Sequence, residues 1–309
     1  MRVFVTGATG ALGRHLVPGL VDAGHQVTAT TRTPAKVDGL RAQGAEPVVV
    51  DGLDREAVIT AVLAAAPDVI VHQMTALANA HNLRKLDQEF AATNELRTRG
   101  TDNLLAAAER AGTRRVVAQG HNFVYARSGG PVKTEEDDLD ARPVPSAAQA
   151  MAAIRYVDTT VPQAVPEGIV LRYGTFYGGD PTTDPMLAAV RKRQMPVVGG
   201  GTGVWSFIET SDGAAATRAA VERGAPGVYN VADDEPAPVA EWLPYLAELT
   251  GAKPPMRLPA WLGRVLAGEF IVTQMTEARG CSNAKARAEL DWEPRYPSWR
   301  EGFRAWVAS

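Results

Sequence analysis

Val3-Phe4-Val5-Thr6-Gly7-Ala8-Thr9-Gly10-Ala11-Leu12-Gly13 opens the chain and decides how it is read. A short apolar run passes into three glycines and then into Leu16, Leu20 and Val21 at helical spacing. This predicts strand, phosphate loop and helix. Glycine lets the backbone turn tightly and approach a pyrophosphate, and the open N–H groups of a first helical turn present partial positive charge to it. A glycine triplet alone also fits an ordinary strand-to-helix turn. Here Gly24-His25 closes the helix and Gln26 to Thr30 starts a second β-type run, so the context favours a ligand. Gly7, Thr9, Gly10, Ala11, Leu12 and Gly13 are expected to hold a dinucleotide.

The alternation continues outward. Pro47 to Val50, Val69 to Val71, Val116 to Ala118 and Ile169 to Leu171 are short and nearly all apolar, as in strands buried on both faces. Helical runs from Arg55 to Ala65 and through Leu104 and Ala108 separate them. The expected fold is α/β, a doubly wound Rossmann-type parallel sheet over residues 1–177, with a smaller C-terminal α/β lobe for substrate over 178–309. Strands of that lobe have the option of returning to the main sheet. Residues 126–145, rich in Gly, Pro and acidic residues, read as a surface loop. All six tryptophans lie from Trp205 onward. Each alone fits a core position, yet Trp205, Phe207, Trp261, Phe270 and Met275 together offer an apolar wall to a flat or bulky substrate.

With 309 residues, 45% hydrophobic and 22% charged, and a net charge of -3, the chain has the make-up of an ordinary globule. It lacks the basic excess that phosphate-backbone binding requires, so no nucleic-acid partner is expected. A lone cysteine, Cys281, excludes an intrachain disulfide and a cysteine-based metal cluster. No apolar run reaches the roughly 20 residues that span a bilayer, so the expectation is no membrane and a cytoplasmic location. The expected partner is a small molecule; oligomeric state is not set by these features.

The second β-type run ends in Thr30-Thr31-Arg32-Thr33-Pro34-Ala35-Lys36, without the acid that would take an adenosine ribose hydroxyl and favour NAD. Arg32 and Lys36 suit the extra phosphate of NADPH, with Thr31 beside them, and NADH stays as the alternative. The plainer reading is two solvated charges in a loop. Asp51, followed by Gly52, is placed to accept from the adenine amino group or to cap the helix that starts near Asp54.

These residues resemble the extended and atypical short-chain dehydrogenase/reductase superfamily, its epimerase/dehydratase-like branch, over nearly the whole chain. The loop at Thr6 to Gly13 is similar to that family's cofactor fingerprint. Val71-His72-Gln73-Met74-Thr75 resembles its strand-end motif, and Asn94 with Gly100 to Leu105 its central helix. Leu171 to Gly178, including Tyr173 and Gly174, resembles the segment whose backbone holds the nicotinamide amide. The resemblance implies cofactor contacts at Gln73, Met74, Thr75, Asn94, Gln119, Tyr173 and Gly174. It also implies a Ser or Thr that orients a carbonyl, a Tyr that moves the proton and a Lys four residues on that lowers the Tyr pKa.

That machinery is missing. None of the seven tyrosines has Lys four positions later, and the pair should fall near Ala150 and Ile154, which are apolar. The Ser position falls in Gln119-Gly120-His121-Asn122, where His121 takes it. Three readings compete. In the first, a ketoreductase reduces an aromatic ketone activated by its own neighbouring hydroxyl, as in aromatic polyketides, with the proton from substrate, water or His121. Gln119 and Tyr125 are further catalytic candidates, although Tyr125 also fits packing beneath the loop, and His121 equally fits a structural bond. The second reading is a sugar-nucleotide epimerase or dehydratase. The third is a redox sensor that binds NADP(H) without turnover.

Overall fold

The computed structural model describes residues 1–77, 83–179 and 183–308. In its first half β1 (Arg2–Thr6), α1 (Gly13–Asp22), β2 (Gln26–Thr31), α2 (Val37–Ala42), β3 (Glu46–Val49), α3 (Arg55–Ala65) and β4 (Val69–His72) alternate. Then come α4 (Leu86–Glu89), α5 (Ala91–Glu95), a π-helical turn at Leu96–Gly100, α6 (Thr101–Ala111) and β5 (Arg115–His121). The helical run expected before Ala108 is thus broken into pieces, and its residues 78–82 lie outside the described residues. The chain continues through β6 (Val132–Lys133), α7 (Ala148–Ala164), β7 (Glu167–Tyr173), β8 (Thr175–Tyr177), α8 (Asp184–Arg191), β9 (Val197–Val198), β10 (Val204–Trp205) and β11 (Phe207–Glu209). After these follow α9 (Thr210–Glu222), β12 (Gly227–Val231), α10 (Val239–Leu249), α11 (Ala260–Ala267) and α12 (Glu269–Thr276).

Seven strands form one parallel sheet in the order β12-β7-β5-β4-β1-β2-β3. Side chains alternate across it. Val3, Val5, Val71, Val117 and Leu171 pack with Leu16 of α1 and Ala216 of α9 on one face. Phe4, Ile70, Val116, Ala118 and Val170 pack with Val58, Leu104 and Val157 of α3, α6 and α7 on the other. Strand order reverses between β1 and β4, which opens a crevice at their C-terminal ends, where ligands bind in such sheets.

The sequence boundary at 177/178 is not a boundary in space. After Tyr177 the chain pairs β8 with β11 and sends α9 onto α1. It then adds β12 to the sheet edge with Val228 opposite Val170. A separate aromatic core holds the remainder together, with Tyr177, Phe207, Trp242, Met275, Trp299 and Phe303 at its centre. The segment 126–145 is more than a surface loop: β6 pairs in parallel with Gly280–Cys281, and the Glu135 carboxylate accepts from the Asn230 N–H at 2.7 Å. The proposed apolar wall is also corrected. Phe207 and Met275 are core, and Trp261 is 65% exposed on α11.

The tightest joint in the sheet is at Gly7. Its φ is +72°, and a Cβ there would lie 2.2 Å from the Gln73 carbonyl oxygen at the end of β4. Gly7→Ala is therefore expected to destabilise the protein by about 2–4 kcal/mol through strain and displacement of the β4 end. Urea unfolding of the variant beside the parent checks this; an unchanged midpoint would refute it.

Candidate active site

The glycine loop presents backbone rather than side chains. Gly10 donates its N–H to the Gly7 carbonyl at 3.0 Å, which curls the loop, and a Cβ on Gly13 would lie 2.4 Å from the Ala8 oxygen. Leu12 precedes α1 without a side-chain cap. Among the described residues, the N–H groups of Ala11, Leu12 and Gly13 make no backbone hydrogen bond. Leu12's side chain belongs to the core, so any contact to a ligand there comes from its N–H. Thr9 and Ala11 are partly exposed and Gly10 is open to solvent. This is a ready-made anion site.

At the end of β2, Thr31 is buried and its Oγ1 accepts from the Thr33 N–H at 3.1 Å, so its side chain shapes the turn instead of facing a ligand. Arg32 and Lys36 are exposed, and neither forms an ion pair among the described residues. Asp51 is exposed with one oxygen accepting from Leu53 N–H at 3.0 Å. The helix cap expected as its other role belongs to Asp54, which accepts from Ala57 N–H. Gly52 is buried under Met74: a Cβ would stand 2.2 Å from the Met74 sulfur, and the Gly52 carbonyl accepts from Asn103.

The end of β4 is rich in buried polar atoms. The His72 ring is fixed at both nitrogens. Met74 N–H donates to its Nδ1 at 3.3 Å, and its Nε2 donates to Thr101 Oγ1, which itself donates to the Arg97 carbonyl. Burial holds His72 down to about 4, so it is a neutral structural ring. Gln73 donates to the Tyr173 hydroxyl at 3.2 Å but leaves its Oε1 without a partner, and both amide atoms of Asn94 are buried and unpartnered. Thr75 is partly exposed beyond them. The Tyr173 ring is fully buried, its hydroxyl bonded to Thr217 at 2.6 Å, so a ligand contact at this residue is left to its backbone. Gly174 is likewise committed, its N–H donating to Val231 and its α-carbon packed on the Ser206 carbonyl.

Arg97 is a residue the sequence did not single out. It lies on the π-helical turn, is only 4% exposed, and leaves Nε and Nη1 without partners. π-helical turns often mark functional sites, and a buried unpaired guanidinium is costly unless a ligand meets it. Burial lowers Arg97 to about 10, which leaves it charged near neutrality. Its field reaches Asp158 on α7, whose carboxylate accepts from Arg172 at 2.9 Å and which burial lifts to about 6 against the pull of both arginines.

At the end of β5, Gln119 and His121 are partly exposed on the same side of the strand as Val117. Phe123 N–H donates to His121 Nδ1 at 3.3 Å and the two rings stack at 3.9 Å. The proton of the neutral ring is therefore on Nε2. Desolvation, helped by the Arg97 charge, holds His121 down to about 3. It can offer a hydrogen bond but carries no imidazolium proton at neutral pH, which corrects its reading as a proton source. Tyr125 is corrected too: its hydroxyl donates to Asn230 at 2.7 Å and accepts from Arg172 at 2.9 Å, and burial raises its pKa further. Ala150 and Ile154, where the Tyr–Lys pair would stand, are buried among Leu86, Val124, Met151 and Phe270. Beside them lies a small cavity of about 30 Å³, walled in part by Phe123, Tyr125, Trp205 and Phe270.

The residues present fit a nicotinamide dinucleotide. Gly7 and Gly13 leave no room for a Cβ, the first-turn N–H groups are open, and orphaned polar atoms of Gln73, Asn94 and Arg97 gather near the switch point. Fold and site together define a nicotinamide-dependent oxidoreductase of the extended short-chain dehydrogenase/reductase type. The chain belongs to the NAD dependent epimerase/dehydratase family, whose model matches residues 3–232. It is 46% identical, over 98% of its length and 99% of the other's, to a 3-diazoavenalumate denitrifying reductase of a Streptomyces species. A second relative is 32% identical over 82% of this chain and 74% of its own length. It is the 4-hydroxy-2-methyl-3-oxo-4-farnesyl-3,4-dihydroquinoline-1-oxide ketoreductase of Stigmatella aurantiaca. Among solved structures, the UDP-glucose 4-epimerase of Thermotoga maritima superposes with a TM-score of 0.77 at 21% identity, over 100% of this chain and 98% of that one. Both of these sequence relatives are named reductases. No helix among the described residues is long and apolar enough to cross a membrane.

The neutral His121 has a measurable consequence. Its folded pKa is depressed from 6.5 to about 3, so the unfolded chain binds the extra proton first as pH falls. The stability it confers is fully present above 6.5 and is lost as pH drops toward 3. His121→Phe should therefore flatten the fall in stability between pH 6.5 and 4, measured as urea midpoints at several pH values. An equally steep fall in the variant would show that His121 is not held neutral.

Proposed function

We propose that the chain is an NADPH-dependent reductase that delivers a hydride to an activated aromatic small molecule without a proton from an enzyme Tyr–Lys pair. The observation that carries this is the apolar pair Ala150 and Ile154 beside an aromatic-walled cavity. The bound nicotinamide supplies the hydride. The N–H groups of the glycine loop hold the pyrophosphate, Arg32 and Lys36 take the extra phosphate, and Asp51 faces the adenine. Gln73, Asn94 and Arg97 meet polar groups of the ligands near the switch point. Holding acceptor and donor together in a dry site supplies much of the acceleration in such a reaction.

An aromatic ketone flanked by its own hydroxyl meets the requirement, because an internal hydrogen bond polarises the carbonyl and supplies the proton. His121 Nε2–H adds a donor to that carbonyl. The Stigmatella relative, named a ketoreductase, supports this acceptor. A second acceptor is favoured by the 46% identical relative, named a denitrifying reductase of a diazo compound. When an aryl diazonium accepts a hydride, an arene C–H forms and dinitrogen leaves with the C–N bonding pair. No alkoxide arises, so no acid is needed. An epimerase or dehydratase starts by oxidising an unactivated alcohol, which requires a base the site lacks.

Oxidation of NADPH should be seen with hydroxyl-flanked aryl ketones or aryl diazonium salts and should be absent with simple aliphatic ketones. Equal turnover of aliphatic ketones would contradict the reading; tight cofactor binding with no turnover of any acceptor would favour the sensor. Arg32→Asp should raise the KM for NADPH about tenfold or more, with little change for NADH, because charge-assisted bonds to phosphate contribute about 1.5–3 kcal/mol. An unchanged NADPH preference would remove Arg32 from the site.

A further inference from the structure

The surface of α11 is used by neither the fold nor the candidate active site. Eight large apolar side chains are exposed among the described residues, and four of them, Met256, Trp261, Val265 and Leu266, fall within residues 256–266. Single exposed apolar side chains are ordinary, whereas a cluster points to an interaction surface. The helix is set for this. Gly263 faces inward, where a Cβ would stand 2.6 Å from a Val198 methyl, so α11 lies close on β9. At 3.6 residues per turn Trp261 and Val265 stand one turn apart on the opposite side, as a ridge that projects to solvent.

The ridge has a basic surround. Arg257–Leu258 pairs in parallel with β9, and Arg193 Nε donates to the Pro254 carbonyl at 3.0 Å, which sets the two segments side by side. Residues 185–208 carry Arg191, Lys192 and Arg193 and no acid, and residues 249–268 carry Lys253, Arg257 and Arg264 and no acid. All six except Arg193 are exposed, in a chain whose net charge is -3. Among the described residues only Arg264 of these is in an ion pair, with Glu269 at 3.6 Å.

That charge selects the partner. Two copies meeting through this face about a two-fold axis would set like charges against each other. A bilayer surface meets the pattern instead: tryptophan sits at headgroup level, aliphatic side chains enter the acyl boundary, and flanking Lys and Arg meet lipid phosphates. We propose that α11, with the basic segments 191–193 and 253–257, docks the protein peripherally on anionic lipid bilayers. The expectation of no membrane rested on the length of apolar runs, which bears on spanning and not on surface docking. The proposal does not depend on the reductase reading.

The test mixes the full chain with phosphatidylcholine vesicles, with or without about 30% phosphatidylglycerol, and separates bound protein by flotation. The protein should float with the anionic vesicles at low salt, stay behind with phosphatidylcholine alone, and be released as salt is raised. Trp261 is the exposed one of the six tryptophans, so binding should shift the emission to the blue, and Trp261→Ser should remove that shift. Lys253→Glu combined with Arg257→Glu should weaken binding about tenfold or more, as should Trp261→Ser combined with Val265→Ser. Circular dichroism confirms that each variant is folded. No flotation with anionic vesicles, equal flotation with neutral ones, or undiminished binding by either double variant would overturn the proposal. So would a dimer in sedimentation velocity that Trp261→Ser dissociates, because a second copy would then cover the face.

Discussion

The site depends on an exchange between α7 and its neighbour. The turn of α7 that in related oxidoreductases carries the proton-moving pair is apolar here and packs into a cluster with Phe270, while the buried cation comes from Arg97 on the π-helical turn. A cation left unpaired among buried groups keeps nearby imidazoles neutral, and both His72 and His121 are neutral in consequence of burial and that field. The result is a site whose histidines and Tyr125 offer hydrogen bonds but give up no proton near neutral pH. On the proposed function, the acceptor is one that needs none from the protein.

The sheet makes this arrangement possible. The glycine loop lies directly on the β4 end, so the switch-point crevice is narrow and its wall is backbone. Gly120 is equally constrained: a Cβ there would stand 2.9 Å from Asp158 Oδ1, which ties β5 to the buried Asp158–Arg172 pair and through Arg172 to Tyr125. Removing one partner of a buried pair costs far more than the pair contributes, so this network holds Tyr125, which lines the cavity, in place. The return of the chain through α9 and β12 closes the other side, and the aromatic core around Trp242 and Trp299 holds the second layer against it.

Much of this was legible in the sequence. Strand and helix periodicity are local properties, so the glycine loop, the parallel alternation and the vacancy at Ala150 and Ile154 could be read directly. Arg97 could not, because an arginine among polar neighbours looks solvated until α5 and α7 are seen to bury it. Thr31 was placed at the cofactor because it adjoins Arg32 and Lys36 in the chain, whereas its side-chain direction depends on the turn after β2. Trp261 and Phe207 look alike in composition, yet one is exposed and the other is core, since only long-range packing separates them. The pairing of β6 with Gly280–Cys281 joins segments nearly half the chain apart, beyond any local signal.

The central claim is that hydride transfer here proceeds without an enzyme acid. Its most direct measurement is the single-turnover rate of NADPH oxidation from about pH 7 to about pH 9, above the range in which the buried Asp158 titrates, with an aromatic acceptor that does not itself ionise there. The account predicts a level profile, because His121 is held down to about 3 and burial raises Tyr125. A limb inside that window that recurs with different acceptors would reveal a proton-donating group in the enzyme and contradict it.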